Sequence, residues 1–323
     1  MFNQSRLRAF ERHLMVRRFI SAATLLTVAL AGLMAGANAH AQVTLEPKYV
    51  EGAKSTTQSE SKVDQTLTLG GRDAPTKAST FLTTSASIGT RAADGTLAIV
   101  EKVDSLQSEL DLGSIKLQFD SANPDKKAEI PQLEPLLDVY RALVKLPVTR
   151  TLEAKTNKLQ SVTLPEGEFE KLDEAAKDRF DPEKLKKATE QAMAYLPDGP
   201  VKAGDKWERA TETNLGSGQV MSFRTKYEYM GTVEQDGRTL DKIEGKVFEV
   251  SLAIVGNPAL QLTKSDLKIK ESASTHLFDR ERGVLVSKSA KVRIDGPLTL
   301  VIGGMELEGK VDLTMEEKST RQK

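Results

Sequence analysis

The sequence has no cysteine among its 323 residues. That excludes disulfides, thiolate metal centres and cysteine nucleophiles. Histidine is almost as scarce: of the three in the chain, His13 and His40 fall within the first 41 residues and His276 is the only one beyond them. Zinc sites need several His or Cys ligands, so they are excluded too. Aromatic residues make up 5% of the chain, with one tryptophan. A stacking surface for sugars or bases recruits several aromatics and has little here to draw on. There is no Asp-x-Asp-x-Asp-Gly calcium loop and no Gly-x-Ser-x-Gly nucleophile elbow.

One long apolar run is present, from Phe19 to Leu33. Arg6, Arg8, Arg12, Arg17 and Arg18 precede it and the small residues Ala37-Asn38-Ala39-His40-Ala41 follow. That three-part pattern is a secretory signal peptide over residues 1–41, with cleavage between Ala41 and Gln42 and, as the near alternative, after Ala39. The run is short and lacks a basic stop-transfer flank, so no membrane span is expected after processing. Met15 is an alternative start, because the stretch from Met15 to Ala41 holds all three regions by itself. Arg17-Arg18 matches a twin-arginine signal weakly, since Phe19 follows at once. With no cysteine at the cleavage site, a lipid anchor there is chemically impossible. The localisation expected is periplasmic or secreted. Removing residues 1–41 takes away five arginines and one glutamate, leaving 41 basic and 45 acidic residues and a net charge of −4. That argues against nucleic acid and anionic membrane surfaces as partners.

Beyond the signal, periodicity divides the chain. Residues 42–130 read as an N-terminal antiparallel β region: Val63, Leu67 and Leu69 share one phase, and Thr80, Leu82, Thr84, Ala86 and Ile88 another. Ala93-Asp94-Gly95 is a hairpin signal. Residues 131–199 read as a helical connector with a short strand pair. Leu133, Leu136, Leu137 and Tyr140 recur at helical spacing, Val148 to Val162 forms two strands about Lys155-Thr156-Asn157-Lys158, and Phe169, Leu172, Ala176 and Phe180 mark an amphipathic helix. Asp181-Pro182-Glu183 starts another helix, as an N-cap followed by proline, with Leu185, Ala188, Ala192 and Leu196 on its apolar face. Pro197 stops that helix, and Trp207 enters on the first strand after the Gly204-Asp205 turn.

Residues 200–323 read as a C-terminal antiparallel meander. Met221, Phe223, Tyr227 and Tyr229 share a phase, as do Val284, Val286, Ala290, Val292 and Ile294, and then Met305, Leu307, Val311, Leu313 and Met315. Turns are expected at Gln235-Asp236-Gly237, at Asp279 to Gly283 and at Asp295-Gly296-Pro297. The fold class expected is α+β, mostly β: long-stranded, curved antiparallel meander sheets with a helical insertion in the middle. The Gly52 and Gly95 markers echo Gly204 and Gly237, which leaves open an internal duplication giving two similar sheets.

Several features carry a resemblance. The Leu-Pro-x-x-Pro-Val-Lys-x-Gly-Asp-x-Trp stretch of Leu196 to Trp207, the Tyr-x-Tyr-x-Gly of Tyr227 to Gly231, the Asp236-Gly237 turn and Phe278-Asp279 leading to Gly283 resemble an uncharacterised bacterial family of exported β-rich proteins, a domain of unknown function. More distantly, the curved meander is similar to the periplasmic lipoprotein-carrier and lipoprotein-receptor folds. The resemblance implies a fold and brings no catalytic residues with it.

Three constellations bear on chemistry. His276 reads as a solvent-facing residue on a strand, against a Ser-His-Asp triad. Gly304 to Lys310 fits the letters of a phosphate loop, but Val311 replaces the Ser/Thr and the stretch alternates as a strand. No carboxylate pair for glycoside hydrolysis can be chosen from so many acids. Trp207 reads as a core anchor, against an exposed stacking platform. No catalytic, cofactor-binding or metal-binding residue is therefore assigned, and no cofactor is expected. The reading is a non-enzymatic exported protein, a cell-envelope binding module for a hydrophobic small molecule or an envelope protein partner. The alternatives are a purely structural envelope protein and a carboxylate-dependent hydrolase. Oligomeric state is not legible.

Overall fold

The computed structural model describes residues 42–216, 218–255 and 260–322. The signal peptide and its cleavage site at Ala41 lie outside the described residues. Long alternating stretches form the strands β1 (Lys54–Leu69), β2 (Arg72–Ile88), β3 (Leu97–Asp111) and β4 (Lys116–Asp120), then the short β5 (Val148–Leu152) and β6 (Leu159–Thr163). After the helices come β7 (Lys206–Gly216), β8 (Gln219–Gln235), β9 (Arg238–Ile254), β10 (Leu260–Ser265), β11 (Lys268–Asp279), β12 (Val284–Ile302) and β13 (Met305–Arg321). All thirteen belong to one curved antiparallel sheet, ordered β6-β5-β3-β2-β1-β13-β12-β11-β9-β8-β7, with β4 on β3 and β10 on β12.

The expected fold class is the one observed. The two β regions, read from sequence as separate sheets, are joined through the first and last strands: β1 pairs with β13 from Thr57↔Arg321 to Leu69↔Gly309. No local pattern announces that pairing, because its partners stand at opposite ends of the chain. Gly52 and Gly204, the echoing markers, each adopt positive φ just before a strand, and Gly95 and Gly237 do the same.

Three α-helices lie between β4 and β7: α1 (Glu134–Lys145), preceded by a 3-10 turn at Pro131–Leu133, in the β4–β5 connection, then α2 (Glu174–Arg179) and α3 (Pro182–Ala192) between β6 and β7. Asp173 and Asp181 cap the last two by accepting from the backbone N–H groups of Ala176 and Lys184 at 2.7 and 2.9 Å. The expected helix over Phe169 to Phe180 is confined to α2, and Phe169 and Leu172 pack from the preceding turn instead. α3 ends at Ala192, ahead of Pro197, because turns at Met193 to Leu196 already redirect the chain. Phe180, Ala176, Val139, Ala142 and Leu146 form the buried helical cluster, while Leu137 of α1 joins Leu106, Leu117 and Phe119 of β3 and β4.

One expected turn is a strand. β12 runs through Asp295-Gly296-Pro297 and stays in unbroken register with β13. On its other side the partner changes from β11 to β10 at this point, where the N–H of Asp266 donates to the carbonyl of Pro297. Proline lacks the N–H a ladder needs, so it sits where the partner is interrupted. A side chain at Gly296 would collide with the Asp266 carbonyl, which explains the glycine.

Candidate functional site

Strand alternation sorts the sheet into two faces, and paired residues share a face. The outer face carries cross-strand ion pairs such as Arg293–Asp312 at 2.9 Å and Lys291–Glu271 at 3.2 Å. Two hollows of about 470 Å³ each open on it across β1, β2 and β3, lined by Lys62, Ser79 and Glu109 among others. Both are polar.

The inner face is apolar towards the β10 end. Ile294, Leu298, Leu300, Val311 and Leu313 are buried there together with Met221 and Phe223. Around them Val63, Leu67, Val250, Leu252, Val292 and Met315 are only half-buried. The row Val292, Met315, Val63, Ala78 crosses four strands in register. One row further, Ala290, Glu317, Ser61 and Thr80 replace it, and next Lys288, Ser319, Ser59 and Leu82. The Lys288 ammonium meets the Glu317 carboxylate at 2.6 Å. On β13 and β1 the inner face therefore changes from apolar to polar within one row, and on β12 one row further, at Lys288.

The Gly-Asp-x-Trp and Tyr-x-Tyr-x-Gly stretches pair with each other. Trp207 lies opposite Tyr227 with rings stacked at 6.0 Å. The Gly204 N–H donates to the Tyr229 carbonyl, and the Tyr229 N–H to that of Asp205. Gly231 takes φ +90° at the bulge that follows, a conformation that suits glycine. Trp207 is half-buried with its Nε1 unpartnered, so it is neither the fully buried anchor expected nor an open platform.

His276 corrects the sequence reading. It is 3% exposed, not solvent-facing, because it lies on the inner face beneath Tyr195, whose ring stacks on it at 4.6 Å and 6°. It is bonded to the Ile243 backbone, and Nδ1 has no partner. Burial, with Lys288 nearby, pushes its pKa down to about 3, so the ring is neutral near pH 7. Beside it, the buried Asp241 accepts from the Tyr229 hydroxyl at 2.6 Å and pairs with Arg280 at 3.1 Å. Burial raises the pKa of Asp241 and of Tyr229. The triad arrangement would need a hydroxyl on His276, and its contacts here are aromatic rings and backbone. Residues Met305 to Lys310 form the start of β13 after the Gly303-Gly304 turn, so the phosphate-loop letters lie on a strand.

These features define a long-stranded antiparallel sheet with a helical insertion and a partly covered apolar inner face. Residues 94–251 match the model of a family of unknown function, DUF6263. That range holds the Leu196 to Trp207 stretch and the Tyr227 to Gly231 strand, but not Phe278 to Gly283. No curated protein matches the chain significantly. Among solved structures, one on lipid–protein interactions in lipovitellin is similar over 85% of this chain, at 9% identity and TM-score 0.38, and this chain spans about a quarter (26%) of that one. A Bacteroides fragilis protein with a YmcC-like fold is 6% identical over 84% of this chain and 98% of its own, with TM-score 0.21. A DUF1329 family protein from Desulfovibrio piger is 11% identical over 79% and 83%, with TM-score 0.13. Likenesses this distant inform neither ligand nor activity. Among the described residues no helix is long and apolar enough to cross a membrane.

Proposed function

We propose that this protein is an exported, non-enzymatic binding module of the cell envelope that holds an apolar molecule against the inner face of its sheet. Export rests on the sequence of residues 1–41. The observation carrying the binding reading is the half-buried apolar surface around Val292, Met315 and Val63, contiguous with a buried cluster. Apolar area left in partial contact with water is what an apolar ligand covers with gain, at roughly 25 cal/mol per Å². The buried ionisable side chains of His276 and Asp241 in the sheet are occupied by structural contacts, which supports a role without chemistry.

The test uses residues 42–323 and the probe N-phenyl-1-naphthylamine. Saturable binding is expected, and Val292→Glu is expected to weaken it by about tenfold or more while the urea midpoint moves little. Loss of binding and stability together would make Val292 ordinary core. No binding of the probe by the wild type would favour the structural envelope protein.

A further inference from the structure

The inner face is not uniformly apolar, and the way it is partitioned points to the kind of molecule it takes; this rests on the binding reading above. On β12 the inward residues run Val286, Lys288, Ala290, Val292, Ile294: one lysine inside an otherwise apolar series. On β13 the inward series Val311, Leu313, Met315 gives way to Glu317, Ser319, Arg321. On β1, Val63 gives way to Ser61, Ser59, Thr57 at the same level. The changes on β13 and β1 fall in one row, at Glu317 and Ser61, and Lys288 stands one row further on β12, across from Ser319 and Ser59.

The polar band remains accessible. The Lys288 side chain is 28% exposed and that of Glu317 46%. Its charges do not balance: on the inward positions of β1, β12 and β13, Lys288 and Arg321 face a single carboxylate, Glu317. Among the described residues Arg321 has no ion pair, and its pKa is lowered by burial first and next by another cation, Arg282, in the β11–β12 turn. An anion at this level would meet cations with one carboxylate to oppose it, and serine hydroxyls of Ser59, Ser61 and Ser319 stand alongside as donors.

We propose that the ligand is an anionic amphiphile, lying along the strands with its tail on the Val292–Met315–Val63 level and its anionic head at Lys288. A carboxylate leaving water for a partly covered lysine gains a charge-assisted hydrogen bond, and an uncharged head of the same length gains less. A fatty acid and an anionic phospholipid share this chemistry. Native mass spectrometry of residues 42–323 mixed with laurate, or with phosphatidylglycerol vesicles, separates the two by the mass retained.

The deciding experiment is titration of wild type, Lys288→Gln and Glu317→Gln with laurate and with dodecanol. Wild type is expected to prefer laurate by about tenfold or more, the size of one charge-assisted hydrogen bond. Lys288→Gln should erase that preference, and Glu317→Gln, which removes the opposing charge, should increase it. A merely structural role would lower both affinities together and leave their ratio unmoved. Equal binding of both ligands by wild type, or a ratio unchanged in Lys288→Gln, overturns the anionic head while the apolar face stands. Binding of neither overturns both readings.

Discussion

His276 offers a sharp test of the inner face because residues 42–323 contain no second histidine. Unfolded, its imidazole titrates near 6.5, and folded it is held to about 3, chiefly by burial and next by Lys288. A group whose basic form is retained on folding binds a proton in the unfolded chain first. Stability is therefore fully present above pH 6.5 and is lost as pH falls towards 3. Each pH unit below 6.5 costs about 1.4 kcal/mol, so at pH 5 the loss is about 2 kcal/mol. Asp241 works in the opposite direction, since its raised pKa makes the fold gain stability as pH falls through that value. Carboxylates held low, such as Glu134 at about 2 by the backbone N–H of Ala128, keep their full contribution above the ordinary carboxylate range and lose it only as pH falls from there towards 2. Urea unfolding at pH 7.5, 6 and 5 should therefore show a falling free energy in wild type and a much flatter one in His276→Phe. That variant keeps a ring for Tyr195 to stack on, and pays about 1 kcal/mol at every pH for the lost bond to the Ile243 backbone. Parallel slopes in the two proteins would refute the buried neutral imidazole.

Two further substitutions probe the same region. Tyr229→Phe leaves the buried Asp241 with Arg280 alone and should lower unfolding free energy by about 1–3 kcal/mol, read from urea midpoints at neutral pH; a change within a few tenths would mean the hydroxyl's bond is dispensable. Gly245→Ala places a methyl against the Tyr227 ring and Ser274 Oγ and should cost about 1–3 kcal/mol of overpacking, with Tyr227→Leu partly restoring it; no cost would show that the ring moves aside freely.

Local chemistry was the legible part of this fold. The Asp236-Gly237 hairpin, the Asp181-Pro182 helix start and the β5–β6 pair follow from turn and cap residues that act within a few positions. What failed was whatever depended on a distant partner. Asp295-Gly296-Pro297 carries turn residues, yet β13 on one side keeps the strand extended through them. His276 has polar neighbours in sequence, and its burial comes from Tyr195, 81 positions earlier. The polar band did leave a trace: the apolar phase of Val284, Val286, Ala290, Val292 and Ile294 has a gap at residue 288. A lysine filling a core-facing phase was the available sign that this face is not all core.

The strand order also explains why the helices sit where they do. Followed along the chain, the meander runs outward from β1 to β6 and then inward from β7 to β13, so its two free edges, β6 and β7, are consecutive in sequence. The connection between them must span from one edge to the other, and α2 and α3 occupy it. α3 packs on β6, while its Gln191 side chain accepts the N–H of Glu212 on β7 at 2.9 Å and Lys187 meets the Glu212 carboxylate at 2.5 Å. A helix thereby takes a hydrogen bond that a further strand would otherwise take, which protects an exposed edge from pairing with another chain. The same segment then delivers Tyr195 onto His276 and Trp207 onto Tyr227. Covering the edge and covering the aromatic end of the inner face are thus one structural act: Lys288, the register partner of His276, stands at the rim of that cover, and the level around Val292, four residues further along β12, keeps the partial exposure on which ligand binding depends.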